Sequence, residues 1–465
     1  MKISRRDAVK LMAGSIPAYY MSHRLAFAGE APAAPAAPAP AASIGLKDAY
    51  KGKFLIGTAG DIPGRYSEAE LANIKANYNI ITPENCMKPA SIHPQEDRYN
   101  WATADALVDW CQQNDIKVWG HTLCWHAQTG QWFFGPGPDG QQATRELGME
   151  RLQKHIATEV GRYKGRVMGW DVVNESIADN NNDGTTEHLR TNSWYSFIGP
   201  DVLNLAFKWA HEADPDAQLY YNDYNIDQGA VGNKGKHASS MLLLKRLIDQ
   251  GAPINGVGIQ GHWHLDTNME DVDKAIEDYK SLGLKVSISE LDVTATGTNS
   301  GSFNIGGAGG GAGGGNRRGR GRGPATDTPP ATNQTNPGPG AMAPAQNGIF
   351  SLAGFGGGAA GGGRGAGGFG GGGFGGGGFG GGRRGGGTPL SPEALQHQAE
   401  IYAKLFEIFN KYSDTISRVT FWGISDTRSW RSGQSPLLFD GQLQPKPAYQ
   451  AVIDVGLGKY VAPKQ

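Results

Sequence analysis

The chain has 465 residues, and 40 of its 71 glycines fall between residues 297 and 390, so one extreme segment sits inside an otherwise ordinary globular composition. A hydrophobic fraction of 38% and 11 tryptophans exclude a wholly disordered chain, and no apolar run approaches the ~20 residues of a membrane span. Without the first 28 residues and the glycine-rich segment, the remainder carries 31 basic residues against 42 acidic ones, which argues against a phosphate backbone as partner and suits a neutral or cationic ligand.

In chain order, residues 1–28 read as an export signal. Ser4-Arg5-Arg6-Asp7 precedes a mildly apolar stretch from Leu11 to Met21 and a small-x-small site at Ala26-Phe27-Ala28. The paired arginines resemble a twin-arginine leader, with Ala8 and Val9 in place of its usual bulky apolar pair; an ordinary secretory signal is the alternative. Either predicts a periplasmic, extracellular or surface-associated protein. Residues 29–42 alternate Ala and Pro, a semi-extended linker.

From residue 54 onward, short β-branched runs alternate with helical patterns. The predicted strands are Phe54–Ala59, Tyr78–Thr82, Ile116–Thr122, Val167–Val173, Gln218–Asn222, Gly256–Gln260, Leu284–Ser289 and Arg418–Gly423. Helices are predicted between them, among others over Ala102–Gln113, Met149–Tyr163 and Ala399–Phe409. Eight alternations over residues 43–296 and 391–465 predict an α/β fold of the (β/α)₈ (TIM) barrel type. Residues 297–390 are then a low-complexity insertion after the seventh strand, carrying seven arginines and one acid. No Gly-x-Gly-x-x-Gly opens a helix after the first strand, so no dinucleotide site is expected.

In such a barrel the chemistry sits where the strands end. Those positions are polar and aromatic: Glu84-Asn85-Cys86-Met87-Lys88 after strand two, and Gly120-His121-Thr122-Leu123-Cys124-Trp125-His126 at strand three. Strand four gives Trp170-Asp171-Val172-Val173-Asn174-Glu175, and strand five gives Asn222-Asp223-Tyr224-Asn225. They are followed by Gln260-Gly261-His262-Trp263, Ser289-Glu290-Leu291-Asp292, and Phe421-Trp422-Gly423 with Trp430 soon after. Glu175 and Glu290 thus stand on opposite sides of an eight-strand rim. Glycosidic cleavage needs that arrangement, one carboxyl group to protonate the leaving oxygen and another to attack, or to activate water, on the far face of the sugar. Period-two alternation puts Glu290 and Asp292 on one face and Gln260 and His262 on one face, so His262 is expected to bridge the two carboxylates. Asn174 and Glu175 would point oppositely in a regular strand, so the strand must end or bulge there.

These segments, in this order, resemble glycoside hydrolase family 10, the endo-1,4-β-xylanases, over nearly all of the 329-residue core and none of the insertion. The resemblance implies a retaining reaction with Glu175 as acid/base and Glu290 as nucleophile. It also implies that Asn174 binds the 2-hydroxyl of the sugar at the cleavage point, that His121 and Lys88 hold its 3-hydroxyl, and that Glu84 and Asn85 bind the next sugar outward. Tyr224 would lie on the leaving-group side, Trp125, Trp422 and Trp430 would wall the reacting ring, Gln260 and His262 would line the site, and Asp292 would support it. The implied partners are xylan or xylo-oligosaccharides, without cofactor or metal. Pro89 departs from the family's usual aromatic residue, and the loop after strand seven is replaced by the insertion.

Other residues read as structure. Cys86, Cys111 and Cys124 are expected as small core residues, and Trp101, Trp110 and Trp209 as core tryptophans. His126 is divided evenly between core and site, and the His262-Trp263-His264 run lacks further ligands at metal spacing. The Arg-Gly clusters with Phe369, Phe374 and Phe379 are read as a solvated tether rather than a nucleic-acid-binding segment. A monomer without nucleic-acid partner or membrane span is expected. A β-1,4-glucanase and a non-catalytic polysaccharide-binding surface protein are the alternative functions.

Overall fold

The computed structural model describes residues 44–137, 140, 142–179, 184–296 and 390–463. The predicted export signal, the Ala/Pro linker and nearly all of the glycine-rich segment lie outside the described residues. The stretches on either side of that segment fold together as one unit.

Nine strands form the sheet: β1 (Leu55–Ala59), β2 (Ile80–Thr82), β3 (Lys117–Trp125), β4 (Gly169–Asn174), β5 (Gln218–Asp223), β6 (Gly256–Ile259), β7 (His262–His264), β8 (Lys285–Thr294) and β9 (Ile416–Phe421). Every pairing is parallel, β1 pairs with β9 and β6 with β8, so the sheet closes on itself. β6 and β7 are one barrel strand interrupted at Gln260-Gly261. The Gly261 φ of +77° permits that break, and a Cβ there would stand 3.0 Å from Ile288 Cγ2. The architecture is therefore the predicted eight-stranded α/β barrel.

Helices between the strands bury their apolar stripes against the outside of the sheet. Leu107, Val108 and Cys111 of the Ala102–Gln113 helix do so, as do Leu152, Ile156 and Val160 of Arg145–Arg162 and Tyr402, Phe406 and Phe409 of Pro392–Lys411. The last two helices begin earlier than their apolar periodicity suggests, because caps rather than packing set their starts. Thr144 accepts from the Leu147 backbone and Ser391 from that of Ala394, with Pro392 in the first turn. β8 likewise runs past the predicted Ser289, since its extension pairs with β7 and with the Pro436 and Gln434 carbonyls.

Inside the barrel, Ile80, Trp119 and Tyr220 form a small apolar cluster separate from the main core. Beside it, Arg418 is fully buried, lies 3.9 Å over the Trp119 ring and reaches Asp171 at 3.3 Å. Asp171 also accepts from Trp119 Nε1 at 2.9 Å and contacts His121 Nδ1 at 3.0 Å. These partners outweigh the burial that would raise its pKa and hold it below the ordinary carboxylate value. The C-terminal end of the barrel thus stands on a charged, hydrogen-bonded floor.

Candidate active site

β4 ends at Asn174 after a register shift between Asp171 and Val173, and Glu175 follows with φ +56°. This left-handed residue is the interruption that the sequence requires if Asn174 and Glu175 are both to face inward. The Glu175 backbone N–H donates to the Asn222 carbonyl at 2.9 Å. Its carboxyl group accepts from Trp125 Nε1 at 2.8 Å and from Gln260 Nε2 at 2.9 Å, and the residue is 5% exposed.

Glu290 lies within β8 and is 6% exposed. Its Oε1 accepts from Asn222 Nδ2 at 2.8 Å and its Oε2 stands 3.3 Å from His262 Nε2. His262 Nδ1 contacts Asp292 Oδ2 at 3.0 Å, so the imidazole bridges the two carboxylates as strand alternation predicts. Burial opposes charge on His262, but Asp292 and Glu290 together outweigh it and raise its pKa to about 9. Asp292 is anchored in turn by Trp430 Nε1 and Arg431 Nη1, each at 3.0 Å.

One chain of side-chain amides joins the two carboxyl groups. Gln260 Nε2 contacts both Glu175 and, at 3.4 Å, the Asn174 amide; the Asn174 amide contacts Asn222 Nδ2 at 2.9 Å; and Asn222 reaches Glu290. Ser289 Oγ donates to Asn222 Oδ1 at 2.5 Å, which turns the Asn222 NH₂ toward Glu290. Two buried carboxyl groups from opposite strands therefore open into one space, each fixed by donors.

The other predicted residues surround that space. Lys88 is buried, donates to Asn85 Oδ1 at 3.3 Å and lies 5.0 Å over the Trp125 ring. Burial lowers its pKa, against the opposing pull of Glu290, Glu84 and Glu175, while burial raises that of Glu84. Asp61 accepts the Asn85 and Cys86 backbone N–H groups, both at 3.0 Å, and so shapes the Glu84–Lys88 turn. The Trp422 and His121 rings meet edge-on at 5.4 Å, and Trp430, 40% exposed, packs edge-on against His262 at 5.0 Å. The Tyr224 hydroxyl donates to Asp179 at 2.6 Å and accepts from Arg190 Nη2 at 3.0 Å.

Two readings change. His126 is neither core nor direct partner: its Nδ1 stands 3.9 Å from Glu175 Oε2, and burial, with Arg190 adding to it, lowers its pKa to about 4. Trp101 and Trp110 are only half-buried, because they cover the outer edge of the core, whereas Trp209 is buried. His262 and His264 serve different partners, His264 Nδ1 contacting Thr294 Oγ1 at 2.7 Å. The three cysteines are free and buried. Among the described residues no cluster of His, Cys, Asp or Glu is arranged to hold a metal ion, and no helix is long and apolar enough to cross a membrane. Asn222, a rim residue to which the sequence assigns no role, touches both Asn174 and Glu290. Its position at the end of the fifth strand was the available signal. Arg418 carried none, because its partner Asp171 is distant in sequence, and Arg190 carried none, because its partners Glu175 and Ile177 are main-chain carbonyls of an irregular turn.

A parallel barrel presenting two buried carboxyl groups across its C-terminal rim has the equipment of a glycoside hydrolase. The profile of glycosyl hydrolase family 10 matches residues 45–307 and 386–455. A β-1,4-xylanase of Dictyoglomus thermophilum is 32% identical over 416 residues, covering 88% of this chain and 90% of its own. An endo-1,4-β-xylanase A of a Caldicellulosiruptor species is 31% identical over 416 residues, 88% of this chain; the chain spans about half of that longer relative, 47%. The crystal structure of xylanase XynB from Paenibacillus barcinonensis, complexed with a conduramine derivative, superposes with a TM-score of 0.64 at 30% identity, covering 89% of this chain and 98% of its own. The chain belongs to glycosyl hydrolase family 10.

Proposed function

We propose that the protein is a retaining endo-1,4-β-xylanase, hydrolysing internal bonds of xylan by double displacement. The observation that carries this is the pair of buried carboxyl groups joined through one amide chain, with Glu290 alone receiving the charged imidazole of His262. Glu290 attacks the anomeric carbon while Glu175 gives its proton to the leaving oxygen, and the glycosidic bond breaks as the ester to Glu290 forms. Water then attacks the same carbon, Glu175 takes the water's proton, and the Glu290 carboxylate departs. Asn222 and His262 stabilise that carboxylate as nucleophile and as leaving group. Asn174, His121 and Lys88 hold the reacting sugar, Glu84 and Asn85 the next one outward, Trp125, Trp422 and Trp430 wall the ring, and Tyr224 lies on the leaving-group side. The twin-arginine-like leader supports action outside the cytoplasm, which cell fractionation tests.

Reducing-sugar release from xylan, cellulose and mixed-linkage glucan tests the reading directly. Xylan is expected to be cleaved fastest, with early loss of viscosity from internal scission. Faster release from cellulose overturns the xylanase reading, and no release from any polymer overturns hydrolysis. Glu290→Ala is expected to abolish turnover, and Glu175→Ala to retain cleavage of aryl xylobiosides whose leaving group needs no proton.

A further inference from the structure

The segment behind Glu175 carries a charged cluster that the two displacements do not use. Glu175 occupies a left-handed backbone conformation that disfavours a residue with a Cβ, so its surroundings must impose it. Arg190 lies across this turn. Its Nε donates to the Glu175 main-chain carbonyl at 3.2 Å, and its Nη2 donates to the Ile177 carbonyl at 3.1 Å, to Asp179 at 3.2 Å and to the Tyr224 hydroxyl at 3.0 Å. The backbone N–H of Arg190 also donates to the Ser176 carbonyl at 2.7 Å. Behind it, Lys236 pairs with Asp179 at 3.3 Å and with the buried Asp223 at 2.9 Å, and lies 3.5 Å over the Tyr224 ring. Asp223 Oδ2 accepts from the Ile177 backbone at 3.4 Å and from the Tyr221 hydroxyl at 2.5 Å.

We infer that Arg190 is a positioning residue for the acid/base, its guanidinium holding the left-handed turn at Glu175 and tying it to Tyr224 on the leaving-group side. The inference rests on the reading of Glu175 as acid/base. Arg190 grips the main chain from which the Glu175 side chain projects, through the Glu175 carbonyl. A planar fork with donors along one edge can hold a row of carbonyls in a way that a single ammonium cannot. Proton transfer demands that the carboxyl group sit within hydrogen-bond reach of the leaving oxygen, so a small displacement of the turn falls on protonation and spares nucleophilic attack.

The test compares Arg190→Ala, Arg190→Lys and Glu175→Ala on two substrates, xylan and 2,4-dinitrophenyl β-xylobioside, the second having a leaving group that needs no proton. For both Arg190 variants, kcat/KM on xylan is expected to fall by roughly a hundredfold while that on the dinitrophenyl substrate changes by less than about threefold. Azide is expected to raise kcat on the dinitrophenyl substrate by displacing the Glu290 ester as a β-xylobiosyl azide, since the misplaced base no longer activates water. Arg190→Lys keeps the charge and guards against a folding defect in Arg190→Ala. Equal losses on the two substrates in the Arg190 variants, or no loss on either, with Glu175→Ala still discriminating between them, overturns the inference alone. If Glu175→Ala itself fails to discriminate, the acid/base reading falls and takes the inference with it.

Discussion

His262 illustrates how much of the site depends on single charges. Its pKa of about 9 stands above the 6.5 of an unperturbed histidine. Below pH 6.5 the folded and unfolded chains are both protonated and its contribution to stability is complete; as the pH rises through about 9 the folded state loses the proton and the contribution disappears. Melting temperature is therefore expected to decline between these pH values, and His262→Gln, with a lower melting temperature at pH 6, is expected to lose that part of the decline. An unchanged slope in the variant shows that the imidazole is not the titrating group. Trp430, fixed to Asp292 by its indole N–H and half-exposed beside His262, is expected to leave room for a xylose and to crowd a hydroxymethyl group. Trp430→Ala is expected to raise activity on aryl β-cellobioside relative to aryl β-xylobioside several-fold, a ratio of kcat/KM values that tests it. The bridging role of His262 was legible from alternation along two neighbouring strands. The roles of Asp171 and Arg418 were not, because each makes its contacts inside the barrel with strands far away in sequence.

At the scale of elements, the Arg145–Arg162 helix buries a carboxyl group as well as its apolar stripe. Glu159 is fully enclosed, neither of its oxygens makes a hydrogen bond, and it stands 3.4 Å from His155 Nε2. Burial raises its pKa well above the ordinary 4.5 and lowers that of His155 to about 3, so burial favours the neutral form of each. Above pH ~4.5 the unfolded chain releases a proton that the folded chain retains, so stability falls as the pH rises. Glu159→Gln, which mimics the neutral acid, is expected to match the parent near pH 4 and to exceed it in stability at pH 8, measured by urea unfolding. A parent and variant with parallel pH profiles would contradict this. The sequence places this helix correctly by its period, yet its start and its buried acid depend on Thr144 and on packing that periodicity does not report.

For the whole molecule, the edges of the glycine-rich segment are self-sufficient. The end of β8 is held by Val293 N–H to Pro436 O at 3.1 Å and Ala295 N–H to Gln434 O at 3.0 Å. The helix that resumes the barrel is capped by Ser391, and its Gln398 donates to the Val293 carbonyl at 2.6 Å. Replacing residues 298–389 by a short turn is expected to leave melting temperature within a few degrees and soluble-xylan hydrolysis unchanged, since closing a long loop costs only ~0.6 kcal/mol per doubling of length. A fall of many degrees, or loss of activity on soluble xylan, would show that the segment contributes to the fold.

Eight apolar runs of strand length, separated by helical periods, determined the barrel, and the polar residues that end each run determined which side chains gather at one rim. Both follow from local periodicity, because a parallel barrel places consecutive strands side by side and all their C-terminal ends on one face. The amide chain from Gln260 through Asn174 and Asn222 to Glu290, the Arg190 clamp on Glu175 and the Asp171–Arg418 floor belong to the tertiary structure. Each depends on which atoms come within about 3 Å once the chain has folded, and the hydrogen bonds that stabilise buried polar groups are set at that distance, not by residue type or spacing.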